Sequence, residues 1–144
     1  MKKAISFLFC LISFQAFCQH KEVINTDKAP QPIGPYSQAI KSNGFLYVSG
    51  QVGVDPVSRK LVEGGVEAEV VQIMANIKAI LSAAKLDLNH VVNTNIYMKD
   101  LSYFQKVNEI YGKYFSGSFP ARTTIGVANL PIGANIEITV VASY

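Results

Sequence analysis

Apolar residues at Val66, Val70, Ile73, Met74, Ile77, Ile80, Leu81 and Ala84 recur at intervals of three and four, which places them on one stripe of an α-helix. A helix of that length with a single apolar face must bury it, so the rest of the chain has to supply a cover. The flanking stretches carry strand character instead. Residues 45–49 (FLYVS) are aromatic and β-branched, stop at Gly50 and resume with Val52 and Val54, which predicts a strand with a break or bulge at the glycine, then a turn at Asp55, Pro56 and Ser58. Residues 90–98 predict another strand, halted at Lys99 and Asp100. Asp100 is placed to cap a second helix whose face is Leu101, Phe104, Val107, Tyr111, Tyr114 and Phe115. Beyond the Gly117 and Pro120 loop, residues 121–128 and 135–142 predict two further strands, a hairpin or neighbours, joined by NLPIGA with its breakers Pro131 and Gly133. Pro30, Pro32 and Pro35 make residues 20–35 an extended arm. The sum is an α+β domain, two helices laid on one face of a single mixed sheet. The other sheet face would be bare in one copy, and the strands supply apolar residues to both faces, which predicts self-association.

The first eighteen residues are of a different kind. Lys2 and Lys3 precede a charge-free apolar run over residues 4–14, and small residues stand at Ala16 and Cys18. These are the parts of a secretory signal peptide cleaved before Gln19, with an apolar run too short to remain as a membrane anchor. A single domain over residues 19–144, periplasmic or secreted, is the expectation. Cleavage removes both cysteines, Cys10 and Cys18, and with them any disulfide or thiolate nucleophile; lipidation at Cys18 is disfavoured by the bulky Phe17 before it. It also removes two lysines, which takes the formal charge from +3 to +1. So small a charge, scattered along the chain, does not suit a nucleic-acid binder.

Ionisable residues are scarce in the C-terminal strands, and the two that stand there are the candidates for chemistry. Arg122 opens the otherwise uncharged strand TTIGVA, where a guanidinium offers a planar fork of donors for a carboxylate; a surface or ion-pair role is the plain alternative. Glu137 lies between Ile136 and Ile138 and so points away from their face, either into solvent or as a half-buried carboxylate able to orient or deprotonate water. Whether the two meet depends on register, since a slip of one residue reverses the facing. Tyr36 after Pro35 and Ser49 before Gly50 are weaker candidates. His20 and His90 are isolated and predict no metal site. No phosphate loop, dinucleotide-binding glycine motif or nucleophile elbow occurs.

Several segments together resemble the RidA/YjgF family: IGPYSQAI at residues 33–40, YVSGQVGVDP at 47–56, NIKAIL at 76–81, YMKDLSYFQKVNEIY at 97–111, FPARTTIGVANLP at 119–131 and IEITVVA at 136–142. They span nearly all of the chain after the signal peptide, in the family's order. The resemblance implies a chorismate-mutase-like α+β fold, a homotrimer with three clefts between subunits, and hydrolysis of 2-iminobutanoate and 2-iminopropanoate to 2-oxo acids and ammonia without a cofactor. It implies that Arg122 binds the substrate carboxylate, that the acidic side chain of Glu137 attends the attacking water, and that Tyr36, Ser49, Gly50 and Asn108 lie in or beside the cleft. Many deaminase-type members carry Cys two residues after the arginine; Thr124 stands there in this chain, so thiol chemistry is excluded and Thr124 is left as a substrate contact. The signal peptide is the larger departure, because the enamines such proteins destroy arise in the cytoplasm. The alternatives are a trimer that binds a small carboxylic acid without turnover, and a holdase or ribonuclease.

Overall fold

The computed structural model describes residues 21–144. The expected signal peptide, together with Gln19 and His20, lies outside the described residues.

The apolar stripe forms α1 (Gly65–Ala83), and all eight stripe residues are buried. What covers them is one sheet of six strands, β1 (Glu22–Ile24), β2 (Ala39–Ser42), β3 (Phe45–Val52), β4 (Val91–Met98), β5 (Ala121–Gly126) and β6 (Ile136–Ser143), in the order β1-β2-β3-β6-β4-β5. Neighbours run antiparallel except β4 and β5, which are parallel. A parallel pair needs a crossover, and α2 (Phe104–Gly112) provides it. Asp100 caps where expected, accepting from the Ser102 backbone N–H at 2.8 Å, but the turn it starts, Leu101–Tyr103, is 3₁₀, and the α-helix α2 begins one turn later than expected.

Alternation sorts the sheet's two faces. Leu46 and Val48 of β3, Thr94, Ile96 and Met98 of β4, and Ile136, Ile138, Val140 and Ala142 of β6 are buried against the two helices. The opposite face presents Phe45, Tyr47, Tyr97, Ile125 and Val141, with Phe45, Tyr47 and Ile125 exposed. The expected two helices on one face of a mixed sheet are therefore observed, with the apolar far face left uncovered in a single copy.

Two expectations are corrected. The segment read as an arm contributes β1, and the unassigned residues 39–42 form β2, so the sheet gains two strands at one edge. The last two strands are not neighbours, because β4 lies between them. The crossover through α2 puts β5 on the sheet's outer edge, while β6, with four apolar residues in strict alternation, takes the centre between β3 and β4, where both of its edges are hydrogen-bonded. The arm itself is tied down by buried Gln38, whose side chain accepts from the Thr26 N–H at 2.7 Å and donates to the carbonyls of Thr26, Ala29 and Pro30.

Candidate functional site

The residues singled out in the sequence fall into two groups on opposite faces of the sheet. Glu137 on β6 pairs in register with Tyr97, on the face away from the helices. Arg122 on β5 pairs with Thr94, which is fully buried on the helix face. One copy of the chain thus does not bring Arg122 and Glu137 together.

The Glu137 group surrounds a cavity of about 830 Å³, whose lining includes Tyr36, Ser49, Gly50, Ile132 and Glu137. The ladder between β3 and β6 shifts register between Val48 and Gln51, so Ser49 and Gly50 form the bulge foreseen at the glycine. Gly50 is there because of its neighbour. A Cβ at this position would lie 1.8 Å from Oε1 and 2.7 Å from Cδ of Glu137, so only glycine lets the carboxylate rest against the strand. That seat removes water from the carboxyl group, and burial raises the Glu137 pKa above the ordinary carboxylate value. Ser49 donates its hydroxyl to the Ser37 carbonyl at 2.6 Å, which leaves its oxygen as an acceptor. The Tyr36 ring is half exposed, with its hydroxyl accepting from the Ile33 N–H at 3.3 Å. The end of β3 is fixed from α1: Asn76 donates to the Val54 carbonyl at 2.9 Å, and buried Glu69 accepts from the backbone N–H of Asn135 at 2.8 Å and from its side-chain amide. These bonds set the height of β6, and with it Glu137, against the bulge.

The Arg122 group lies under α2, where Asn108, Tyr111, Phe119 and Arg122 line a depression of about 420 Å³. The Arg122 guanidinium carbon sits 5.3 Å from the Tyr111 ring centroid and 5.9 Å from that of Phe104. Among the described residues no carboxylate lies within ion-pair distance of it. An arginine held against aromatic faces keeps its N–H edges open for a planar anion. Thr124, two residues along the same face of β5, has an enclosed Oγ1 with no hydrogen-bond partner among the described residues. Such a hydroxyl is available to a ligand.

Sequence reasoning placed Phe104 and Tyr111 only on the packing face of α2. Their spacing from Asn108, four and three residues, puts all three along one side of the helix, and that was the signal that they share a site. Ile132 was also missed. It lines the Glu137 cavity with a left-handed backbone, φ 51° and ψ 21°. Among the described residues no group of three His, Cys, Asp or Glu side chains is gathered to hold a metal ion, and no helix is long and apolar enough to cross a membrane.

Comparison with known proteins agrees with this architecture. The family model described as Endoribonuclease L-PSP matches residues 26–144. A protein of Saccharolobus solfataricus named as a RutC family protein is 50% identical over 122 residues, 85% of this chain and 97% of its own. The Mus musculus protein named 2-iminobutanoate/2-iminopropanoate deaminase is likewise 50% identical over 122 residues, 85% of this chain and 90% of that protein. The crystal structure of E. coli TdcF with bound serine superimposes with a TM-score of 0.82 at 30% identity, covering 85% of this chain and 98% of that one. A match from residue 26, just after β1, to the last residue, on a sheet with these two helices, shows that the chain belongs to the RidA/YjgF family, the group described as Endoribonuclease L-PSP.

Proposed function

We propose that this chain is a hydrolase of small 2-imino acids, exported and assembled as a homotrimer, whose active site is completed where the Arg122 group of one copy meets the Glu137 group of the next. The observation that carries this reading is the division itself. One sheet face holds a cation with open donors, the other a half-buried carboxylate in a cavity, and among the described residues the two do not meet within one copy. The apolar far face, with Phe45, Tyr47 and Ile125 exposed, supplies the surface through which copies would associate. Two further points support the chemistry. The mouse relative carries the deaminase name, and the serine bound in TdcF bears a carboxylate next to a nitrogen-bearing carbon, the same arrangement as a 2-imino acid.

In this reading Arg122 grips the substrate carboxylate, with Thr124 and Asn108 at its side. Tyr36, Ser49 and Gly50 border the opposite wall, and Glu137 accepts a proton from water. The water oxygen bonds to the imine carbon while the C=N electron pair moves to nitrogen, which takes up a proton. The proton of the new hydroxyl group then passes by way of Glu137 to the nitrogen, and as the C–N bond breaks the oxygen's electron pair closes the C=O bond, releasing a 2-oxo acid and ammonia. The imine is already electrophilic, so orientation of one water and exclusion of other nucleophiles suffice, and no cofactor is required.

The test is coupled measurement of ammonia release from freshly generated 2-iminobutanoate. Removing a bidentate carboxylate contact costs about 2–5 kcal/mol. Arg122→Ala should therefore fold and assemble as the parent does, yet give no acceleration over spontaneous hydrolysis. Equal rates for variant and parent would remove the role given to Arg122. Tight binding of 2-oxobutanoate by a parent protein that does not accelerate hydrolysis would instead identify a carboxylate-binding protein without turnover.

A further inference from the structure

The Arg122 side chain poses a physical problem. A long, flexible cation that is to bind an anion must be fixed in place, yet the usual anchor, a carboxylate, would occupy the donors the ligand needs. Tyr111 solves it without consuming a donor. Its side chain is 2% exposed, and its hydroxyl donates to Oγ1 of Thr94 at 3.0 Å. Thr94 is the residue that pairs with Arg122 in the β4–β5 ladder. The tie therefore clips α2 to the sheet at the level of Arg122 and sets the ring beneath the guanidinium, 5.3 Å from its carbon. Behind Tyr111 the rings of Phe115 and Phe119 continue the support, with centroids 4.8 Å and then 6.0 Å apart. Phe104, two turns back on the same side of α2, meets the guanidinium as well, its centroid 5.9 Å from the guanidinium carbon.

We propose that Tyr111 is a positioning residue that acts through Arg122, its ring face fixing the guanidinium plane so that the free N–H edge faces the incoming carboxylate, with Phe104 as a weaker second support. This rests on the carboxylate-binding role of Arg122 proposed above. A contact of this kind acts on the bound carboxylate in ground state and transition state alike, so its loss belongs in KM, not kcat.

The experiment compares the parent with Tyr111→Leu, Tyr111→Phe, Phe104→Leu and Arg122→Ala. It measures kcat and KM for 2-iminobutanoate, and the affinity for unreactive 2-oxobutanoate and its neutral amide. Tyr111→Leu should raise KM about tenfold with kcat within about twofold, and weaken the acid but not the amide. Tyr111→Phe keeps the ring and should restore KM to within about twofold of the parent, although its melting temperature falls with loss of the Thr94 bond. Phe104→Leu, on an exposed ring that leaves the core untouched, should raise KM about threefold and keeps the test open should Tyr111→Leu not fold. Parent-like KM in both leucine variants overturns the proposal, as does a Tyr111→Phe variant as impaired as Tyr111→Leu, which would make the hydroxyl tie the active element. If instead the parent and Arg122→Ala bind 2-oxobutanoate equally, the functional reading beneath the proposal is what fails.

Discussion

A methyl group added at Gly50 tests whether Glu137 is seated as its function requires. The new Cβ would lie 1.8 Å from Glu137 Oε1, where side-chain Cβ contacts essentially never fall below 3.0 Å, so the oxygen must retreat by at least about 1.2 Å. The carboxylate is the free end of a side chain, so the backbone is spared and the stability loss should stay at about 1–2 kcal/mol, the lower part of the range for an overpacked site. Activity should suffer far more. A displacement of about 1 Å in a group that orients a reacting atom lowers the rate about 100-fold. Gly50→Ala should therefore lose about two orders of magnitude in kcat/KM for 2-iminobutanoate while its melting temperature falls by only a few degrees. KM should change little, because the methyl group displaces Glu137 and not the neighbouring copy's Arg122 that would hold the carboxylate. Ammonia release under substrate-saturating conditions and a calorimetric scan read the two effects separately. A Gly50→Ala variant with parental kcat would mean that the seat of Glu137 against the bulge has no part in turnover.

Three further outcomes are expected. Because burial raises the Glu137 pKa, its ionised form disfavours folding: the stability this group confers is full below the unfolded glutamate pKa and is lost as pH rises through the higher folded value. Glu137→Gln should accordingly melt higher than the parent at neutral pH, with the gap closing in acid, and should abolish the acid limb of the pH–rate profile; an unchanged limb would assign it to another group. Ile132 holds a left-handed backbone that a β-branched residue resists, and its side chain is 56% exposed, so Ile132→Asn should relieve about 1 kcal/mol and raise the melting temperature, as thermal unfolding would show. Expressed from its own start, the chain should be recovered outside the cytoplasm with a mass that begins at Gln19; an intact Met1 in the exported or cytoplasmic protein would refute the signal-peptide reading.

The elements with strong periodicity were legible in the sequence. The stripe of α1, the bulge at Gly50 and the alternation of β6 follow from spacing and residue type alone. The short strands β1 and β2 were not, because three and four residues carry too little pattern: β1 is held by pairing with β2 and β2 by pairing with β3, which local spacing does not show. The separation of β5 from β6 escaped for the same reason: nothing local in either strand says that β4 comes between. At the site, Arg122 and Glu137 stood out as ionisable residues in apolar strands, but which face each occupies depended on a register that only the assembled sheet sets. The aromatic seat of Arg122 lay hidden in residues that also serve as packing.

That Arg122 and Glu137 stand back to back across one sheet has a consequence for genetics as much as for chemistry. In the ring proposed above each subunit would lend its cation to one neighbour and its carboxylate to the other, so an allele lacking the first should be complemented by an allele lacking the second. Two inactive preparations, Arg122→Ala and Glu137→Gln, unfolded together and reassembled in equal amounts, would rebuild intact junctions at about one in four by random pairing.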